Sequence, residues 1–169
     1  MLVIRAESIE DHSDVRRVVE SAFGRPAEAD LVDALREKAS PTISLVAVVE
    51  GKVIGHIFFS PVTIDSGDTV FGAIGLAPLA VLPANQNQGV GSELVRQGLG
   101  ECRRLGHDVV VVLGHPNYYP RFGFKPASSK GIRCEYDVPD EVFMVTELKS
   151  DALAGRSGWV RYHSEFGKV

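Results

Sequence analysis

The stretch from Thr69 to Leu113 constrains the fold more than any other part of the chain. Thr69 to Val81 reads as a long strand. From Val90 the apolar residues change to helical spacing, with Val90, Leu94, Val95, Leu99, Cys102 and Leu105 on one stripe that ends at Gly106. Val109 to Leu113 is then an unbroken β-branched run, as expected of a strand buried on both faces. Strand, helix and strand in this order make a βαβ unit around a parallel pair. Helices must therefore cover a central sheet.

The flanking sequence supplies the remaining layers. Met1 to Ala6 fits a first strand, and Ser8 stands at a helix N-cap position with Glu10 and Asp11 in the first turn. Val15, Val18, Val19, Ala22 and Phe23 then share one helical face, and Gly24-Arg25-Pro26 closes that helix. Ala27 to Lys38 repeats the pattern with Leu31, Ala34 and Leu35 inward. Ile43 to Val49 and Val53 to Phe59 form a hairpin about Glu50-Gly51-Lys52. The segment from Ser60 to Gly72 reads as a turn region, with Asp65-Ser66-Gly67-Asp68 at its centre. Pro78 cannot donate to a ladder, so an edge, a bulge or a break is expected there. The last third holds a turn-rich tract from Gly114 to Gly131, a strand from Val142 to Leu148, a turn at Asp151 to Ala154 and a final strand around Trp159 to Tyr162. No repeat or long linker divides residues 1–169, which read as one domain.

Composition narrows the function classes. The chain has 18 Lys and Arg against 22 Asp and Glu, a net charge of −4, so its overall field favours neither nucleic acid nor an anionic membrane. Any phosphate site must be local. The longest apolar run, Val70 to Leu82, contains two glycines and a proline, well short of the roughly 20 unbroken residues that span a bilayer. Cys102 and Cys134 form neither a disulfide framework nor a metal spacing; free thiols in a soluble cytoplasmic protein with no metal are expected.

The local phosphate site has a candidate in Leu82-Pro83-Ala84-Asn85-Gln86-Asn87-Gln88-Gly89-Val90-Gly91-Ser92, which joins a strand end to a helix start. A helix N-terminus leaves about four N–H groups unpartnered and carries roughly half a positive charge, and glycines let an anion reach the main chain. The backbone amides of Gln88, Gly89, Val90, Gly91 and Ser92 are therefore candidates for a pyrophosphate. No Lys follows Gly91, as a P-loop needs, and Leu94 stands where a dinucleotide fingerprint has its third glycine. The plainer reading is that Gly89 and Gly91 only permit a tight turn and close packing.

Gln86-Asn87-Gln88-Gly89-Val90-Gly91 resembles the Gln/Arg-x-x-Gly-x-Gly/Ala loop that binds acetyl-coenzyme A in the GNAT superfamily of N-acetyltransferases, with Asn87 where many members carry glycine. Leu79-Ala80-Val81-Leu82-Pro83 is similar to that family's strand before the loop, and Tyr119-Pro120-Arg121-Phe122-Gly123-Phe124 to its Tyr-Glu-Lys-x-Gly-Phe segment. The resemblance implies an α/β (α+β) fold with a mixed central sheet, splayed strands and flanking helices. It also implies transfer of acetyl from acetyl-coenzyme A, without metal, to a primary amine of a small molecule or peptide by direct attack. Leu79, Val81, Gln86, Gln88, Gly89, Val90, Gly91 and Ser92 would then hold the coenzyme, with a main-chain N–H around Leu79 to Val81 polarising the thioester and the Val81 main chain meeting the pantetheine. Tyr119 would protonate the leaving thiolate, with Tyr118 as the neighbouring alternative. A phenol of reference pKa near 10 stays protonated at neutral pH and lies close enough to a thiol near 8.5 to donate.

The general base is not legible: Phe71 to Leu82 contains no carboxylate. His56 and His115 are candidates because histidine titrates near neutrality, though a structural role fits each better. Arg25, Glu28, His56, Arg133, Glu135 and Tyr136 could touch an acceptor, but residues of these types are more often surface decoration, and none is assigned to the site. Two other readings stay open: a non-catalytic acyl-coenzyme A binding or sensing module, and an interaction domain whose glycines are structural. A homodimer is also left open.

Overall fold

A computed structural model describes residues 1–169. The chain runs β1 (Leu2–Ala6), α1 (His12–Phe23), α2 (Ala27–Lys38), β2 (Ile43–Val49), β3 (Lys52–Asp65), β4 (Val70–Val81), α3 (Val90–Arg104), β5 (Val109–Leu113), β6 (Lys125–Pro126), β7 (Ile132–Cys134), β8 (Phe143–Glu147) and β9 (Gly158–Arg161). The strands form one mixed sheet in the order β1-β2-β3-β4-β5-β8-β6, and β9 joins the Thr63–Asp65 part of β3 to β7. The β4–β5 and β7–β9 pairs are parallel and all others antiparallel. The expected βαβ unit is therefore β4-α3-β5.

Each helix buries most of the face its spacing specifies, but Phe23 at the end of α1 and Leu105 just after α3 are exposed and Ala34 of α2 is only half-buried. Leu94, Val95, Leu99 and Cys102 of α3 pack on Ile57, Phe59, Leu76, Val110 and Val112. On the opposite face Val15, Val18 and Val19 of α1 meet Val46, Val53 and Ala80, while Leu31, Val32 and Leu35 of α2 cover Phe58. Ser8 begins a single 3-10 turn, Ile9–Asp11, before α1. Asp11 accepts from the Ser8 N–H at 2.8 Å and from Arg5 at 2.7 and 3.0 Å. Gly24, at φ +70°, ends α1 in the left-handed conformation that glycine adopts without strain.

Two expectations about strands need correction. β3 does not stop at Phe59 but continues to Asp65, so the expected turn region shrinks to the hairpin tip after Asp65. Pro61 is tolerated because it falls between the last pairing with β2, at Phe59, and the first with β9, at Thr63, where that edge has no ladder to break. The Gly114–Gly131 tract also contains β6, whose two residues carry no readable periodicity. Pro78 behaves as expected: the register shifts between Ile57 and Phe59, setting Ala77 and Pro78 opposite Phe58 as a bulge.

Gly98 is where α3 meets the sheet most closely. A methyl group built there lies 2.6 Å from Phe59 Cε1 and 2.7 Å from Cζ, and Phe59 is itself fully buried. Gly98→Ala is expected to lower unfolding free energy by about 1–3 kcal/mol, after a helix-propensity gain of up to about 1 kcal/mol offsets part of the overpacking. Urea unfolding measures it, and unchanged stability would mean that the Phe59 ring yields without cost.

Candidate coenzyme site

The site begins where the sheet comes apart. β4 and β5 pair only through Ile74–Val110, Gly75–Val111 and Leu76–Val112. Beyond them β4 follows β3 and β5 follows β8, leaving a wedge. Ala80 pairs with His56, and the Leu82 N–H donates to the Ile54 carbonyl, so alternation turns the main-chain groups of Leu79 and Val81 away from β3 and into the wedge. A cavity of about 520 Å³ lies here, lined by Leu79, Val81, Asn85, Gln86, Asn87, Gly89, Gly91, Ser92, Tyr118 and Arg121.

The loop at its mouth is open at the main chain. The first intrahelical bond of α3 runs from the Glu93 N–H to the Gly89 carbonyl at 3.1 Å, and no N–H from Asn87 to Ser92 finds an acceptor within the protein. Asn87 and Gly89 take φ of +63° and +85°, which turns this row of donors around the helix start. Of the expected coenzyme residues, Leu79, Val81, Gln86, Gly89, Gly91 and Ser92 line the cavity, but Gln88 and Val90 do not. The Gln88 amide turns back to the Ala84 carbonyl at 3.4 Å, and the Val90 side chain is buried in the core beneath α3. Both would have only their backbone to offer there. Gln86 donates to the Val81 carbonyl at 2.9 Å, bracing the loop against β4.

The tyrosines occupy different depths. Tyr118 lines the cavity, its hydroxyl 3.4 Å from Ser92 Oγ, and the Arg121 guanidinium lies 4.5 Å from its ring centre. Tyr119 lies behind it and does not line the cavity; it is 8% exposed and meets the Tyr118 ring edge-on at 5.1 Å and the Phe124 ring at 5.6 Å. Its ring also presses on Gly114, directly after β5, so closely that a methyl group built there would overlap Cε2. Burial raises the Tyr119 pKa well above the ordinary phenol value, with a further push from Tyr118. Asn85, Asn87 and Arg121 also belong to the site, although sequence reasoning assigns them no role in it. Arg121 has a signal, since it stands at the lysine position of the resembling Tyr-Glu-Lys segment.

Neither histidine reaches the wedge. His115 contributes its carbonyl, which accepts from the Tyr118 N–H at 3.1 Å, and its surface hollow is shared with Gly114, Pro116 and Val142. His56 is fully buried on the α2 side of the sheet, with Nε2 2.8 Å from Ser44 Oγ, 4.0 Å from Glu7 and Nδ1 unpartnered. Arg36 binds Glu7 and Asp33 beside it, and His12 lies 3.6 Å from Glu7. Burial first, then the positive Arg36, lowers the His56 pKa from 6.5 to about 3. Between those values the unfolded chain binds the extra proton, so stability is complete above about pH 6.5 and falls on acidification at about 1.4 kcal/mol per pH unit. Urea unfolding at pH 7 and pH 5 should show this slope, and His56→Gln should flatten it; an unchanged slope would assign it to the surrounding carboxylates.

The other acceptor candidates are dispersed. Arg25 pairs with Glu28 on a separate hollow of about 400 Å³ shared with Glu165 and Lys168. Tyr136 stacks on Tyr162, Glu135 accepts from the Tyr162 N–H, and Arg133 lies at the far end of the sheet.

Comparison with known proteins decides the family. The acetyltransferase (GNAT) domain profile matches residues 3–127. The chain belongs to the GNAT acetyltransferase family. It is 39% identical over 168 residues to the uncharacterized N-acetyltransferase YhbS of Escherichia coli K12, covering 99% of each chain. It is 47% identical over 135 residues to YjhQ of the same strain, covering 78% of this chain and 74% of that one. The crystal structure of Escherichia coli YhbS in complex with CoA superposes with a TM-score of 0.91 at 37% identity, covering 98% of this chain and 92% of that one. A Brucella melitensis GNAT acetyltransferase in complex with acetyl-CoA gives 0.80 at 38% identity, covering 98% of both. The expected fold, a mixed sheet with splayed strands between helices, is the fold of these neighbours. No helix of the chain is long and apolar enough to cross a membrane.

Proposed function

We propose that the protein binds acetyl-coenzyme A in the β4–β5 wedge and transfers its acetyl group to a primary amine of a small molecule or peptide in the cytoplasm. The row of unpartnered N–H groups from Asn87 to Ser92 carries this reading, since it is built to receive the pyrophosphate at the start of α3. The complexes of YhbS with CoA and of the Brucella protein with acetyl-CoA support it. Arg121, which has no carboxylate partner, adds positive charge at the mouth. The pantetheine arm runs along β4, meeting the main chain of Leu79 and Val81, and Gln86 yields the Val81 carbonyl as it enters.

In the reaction the neutral amine attacks the thioester carbon and a C–N bond forms. The oxyanion is met by a main-chain N–H on the open edge of β4, where Leu79 and Val81 face the wedge. The C–S bond then breaks and the thiolate takes the phenolic proton of Tyr119. The nitrogen loses its proton to water, and solvent restores the phenol. Burial moves the Tyr119 pKa further from that of a thiol, so in this scheme the transfer rests on the hydroxyl's closeness to the sulfur and not on matched acidities. Holding the acetyl donor in one orientation supplies most of the acceleration, and no metal enters the scheme.

Calorimetry with acetyl-coenzyme A, followed by thiol release with a panel of primary amines, tests the reading. Saturable binding and amine-dependent thiol release are expected. Tight binding with no turnover on any amine would favour a sensing module, a reading to which the absence of any carboxylate in the cavity lining lends support. No binding at all would leave the glycines structural.

A further inference from the structure

The other large cavity, about 580 Å³, lies at the opposite end of β4 from the coenzyme wedge, between the β3–β4 hairpin tip and the β7–β9 pair. About eleven residues of strand, roughly 35 Å, separate the two. The parallel register sets Arg133 directly beside Trp159, and alternation puts Arg161 on the same exposed face two residues further along β9. The opposite face of these strands carries the buried Ile132 and Val160, so the outward residues serve no core.

Two features of this face call for a ligand. Neither Arg133 nor Arg161 has a carboxylate within ion-pair distance or a hydrogen-bond acceptor in the protein; Arg103, Arg121 and Arg156 also lack carboxylate partners, but Arg133 and Arg161 line one cleft together, whereas Arg5, Arg16, Arg25 and Arg36 are paired. In a chain of net charge −4, two free guanidinium groups in one cleft are a local reversal of sign. The one carboxylate in the lining, Asp65, is turned into its own hairpin, accepting from the Gly67 N–H at 2.9 Å. Trp159 is 42% exposed, and the Arg133 guanidinium lies 5.6 Å from its ring centre. We propose that this cleft binds a small planar ring carrying a phosphate, with the phosphate bridged by Arg133 and Arg161 and the ring packed on the exposed indole surface of Trp159. Arginine matches phosphate oxygens through paired N–H donors, and a volume of this size accommodates a small molecule rather than a lone ion.

Trp159 is the single tryptophan of the chain, so its fluorescence reports on this cleft alone. The full-length protein is titrated with adenosine 5′-monophosphate, and in parallel with inorganic phosphate and with adenosine; calorimetry gives the affinities independently of the fluorescence. A saturable change with the monophosphate is expected, with weaker binding of either half. Arg161→Ala and Arg133→Ala should each weaken binding by about tenfold or more while circular dichroism stays unchanged. Gly91→Leu, which fills the coenzyme wedge, should leave this signal intact. Overturning results are no saturable change at millimolar ligand, equal affinity for the monophosphate in the doubly substituted protein, equal affinity for inorganic phosphate, or loss of the signal in Gly91→Leu. The last would mean that the nucleotide had entered the wedge.

Discussion

Gly91→Leu should abolish measurable acetyl-coenzyme A binding in a protein that unfolds at the same temperature as the parent or slightly higher. A Cβ at position 91 lies 3.0 Å from the Tyr118 hydroxyl, 3.8 Å from Val81 Cγ2 and 3.9 Å from Leu79 Cδ2. A leucine there extends into the space between β4 and Tyr118 that the pantetheine arm would occupy. The residue is helical and lies within α3, so leucine costs the folded state nothing in backbone strain and adds up to about 1 kcal/mol of helix propensity. Affinity is expected to fall by on the order of a hundredfold or more, equivalent to about 2.7 kcal/mol. Gly89→Ala is the informative contrast. Its Cβ would meet nothing within 4 Å, but its φ of +85° makes any side chain strained by about 1 kcal/mol. That variant should lose stability and retain most of its binding. If calorimetry shows Gly91→Leu binding acetyl-coenzyme A as tightly as the parent, the coenzyme does not lie in the wedge.

The elements that can be read from the sequence are those whose signal is local. The α3 stripe, the continuous Val109 to Leu113 run and the glycine pair at the helix start each depend on residues within a few positions of one another, and each appears with boundaries shifted by a residue or so. Failures occur where pairing across the chain decides. Pro61 argues locally against a strand, yet the gap between β2 and β9 admits it. His56 is the converse case, since the structural role that fits it better from its apolar strand is the one it has, but for reasons that are not local. Its surroundings, Glu7 from β1's exit and Arg36 from α2, come from distant sequence and turn it into a buried neutral side chain. Within the site, the motif alone makes Gln86 a coenzyme contact. Its bond to the Val81 carbonyl depends on the path of the loop, which no spacing encodes. The cleft around Trp159 is likewise invisible until β7 and β9 pair, because Arg133 and Trp159 stand far apart in the chain.

Tyr119→Phe should reduce kcat by about a hundredfold with little change in the KM for acetyl-coenzyme A, whereas Tyr118→Phe should raise that KM and leave kcat within a fewfold of the parent. The contrast follows from depth along the coenzyme's path. A pyrophosphate at the start of α3 would lie beside Ser92, whose Oγ is 3.4 Å from the Tyr118 hydroxyl, so Tyr118 would meet the bound molecule near its phosphate end. In the proposed binding mode the thioester would lie further along β4 toward the apex, where Leu76 and Val112 make the last pair, and Tyr119 belongs to the same buried cluster as those residues. Removing one hydroxyl from either ring keeps the edge-on packing of the pair and the contact with Phe124, so both variants should fold normally. Gly114→Ala supplies an independent check, because the added methyl would displace the Tyr119 ring without changing its chemistry. It should lower kcat as Tyr119→Phe does, and combining the two substitutions should add little to either, as expected for changes acting through one proton donor. Thiophenol-like leaving groups, which depart without a proton, should restore much of the rate of Tyr119→Phe; if they do not, or if Tyr118→Phe alone stops the chemical step, the proton comes from Tyr118 and Tyr119 serves as the wall behind it.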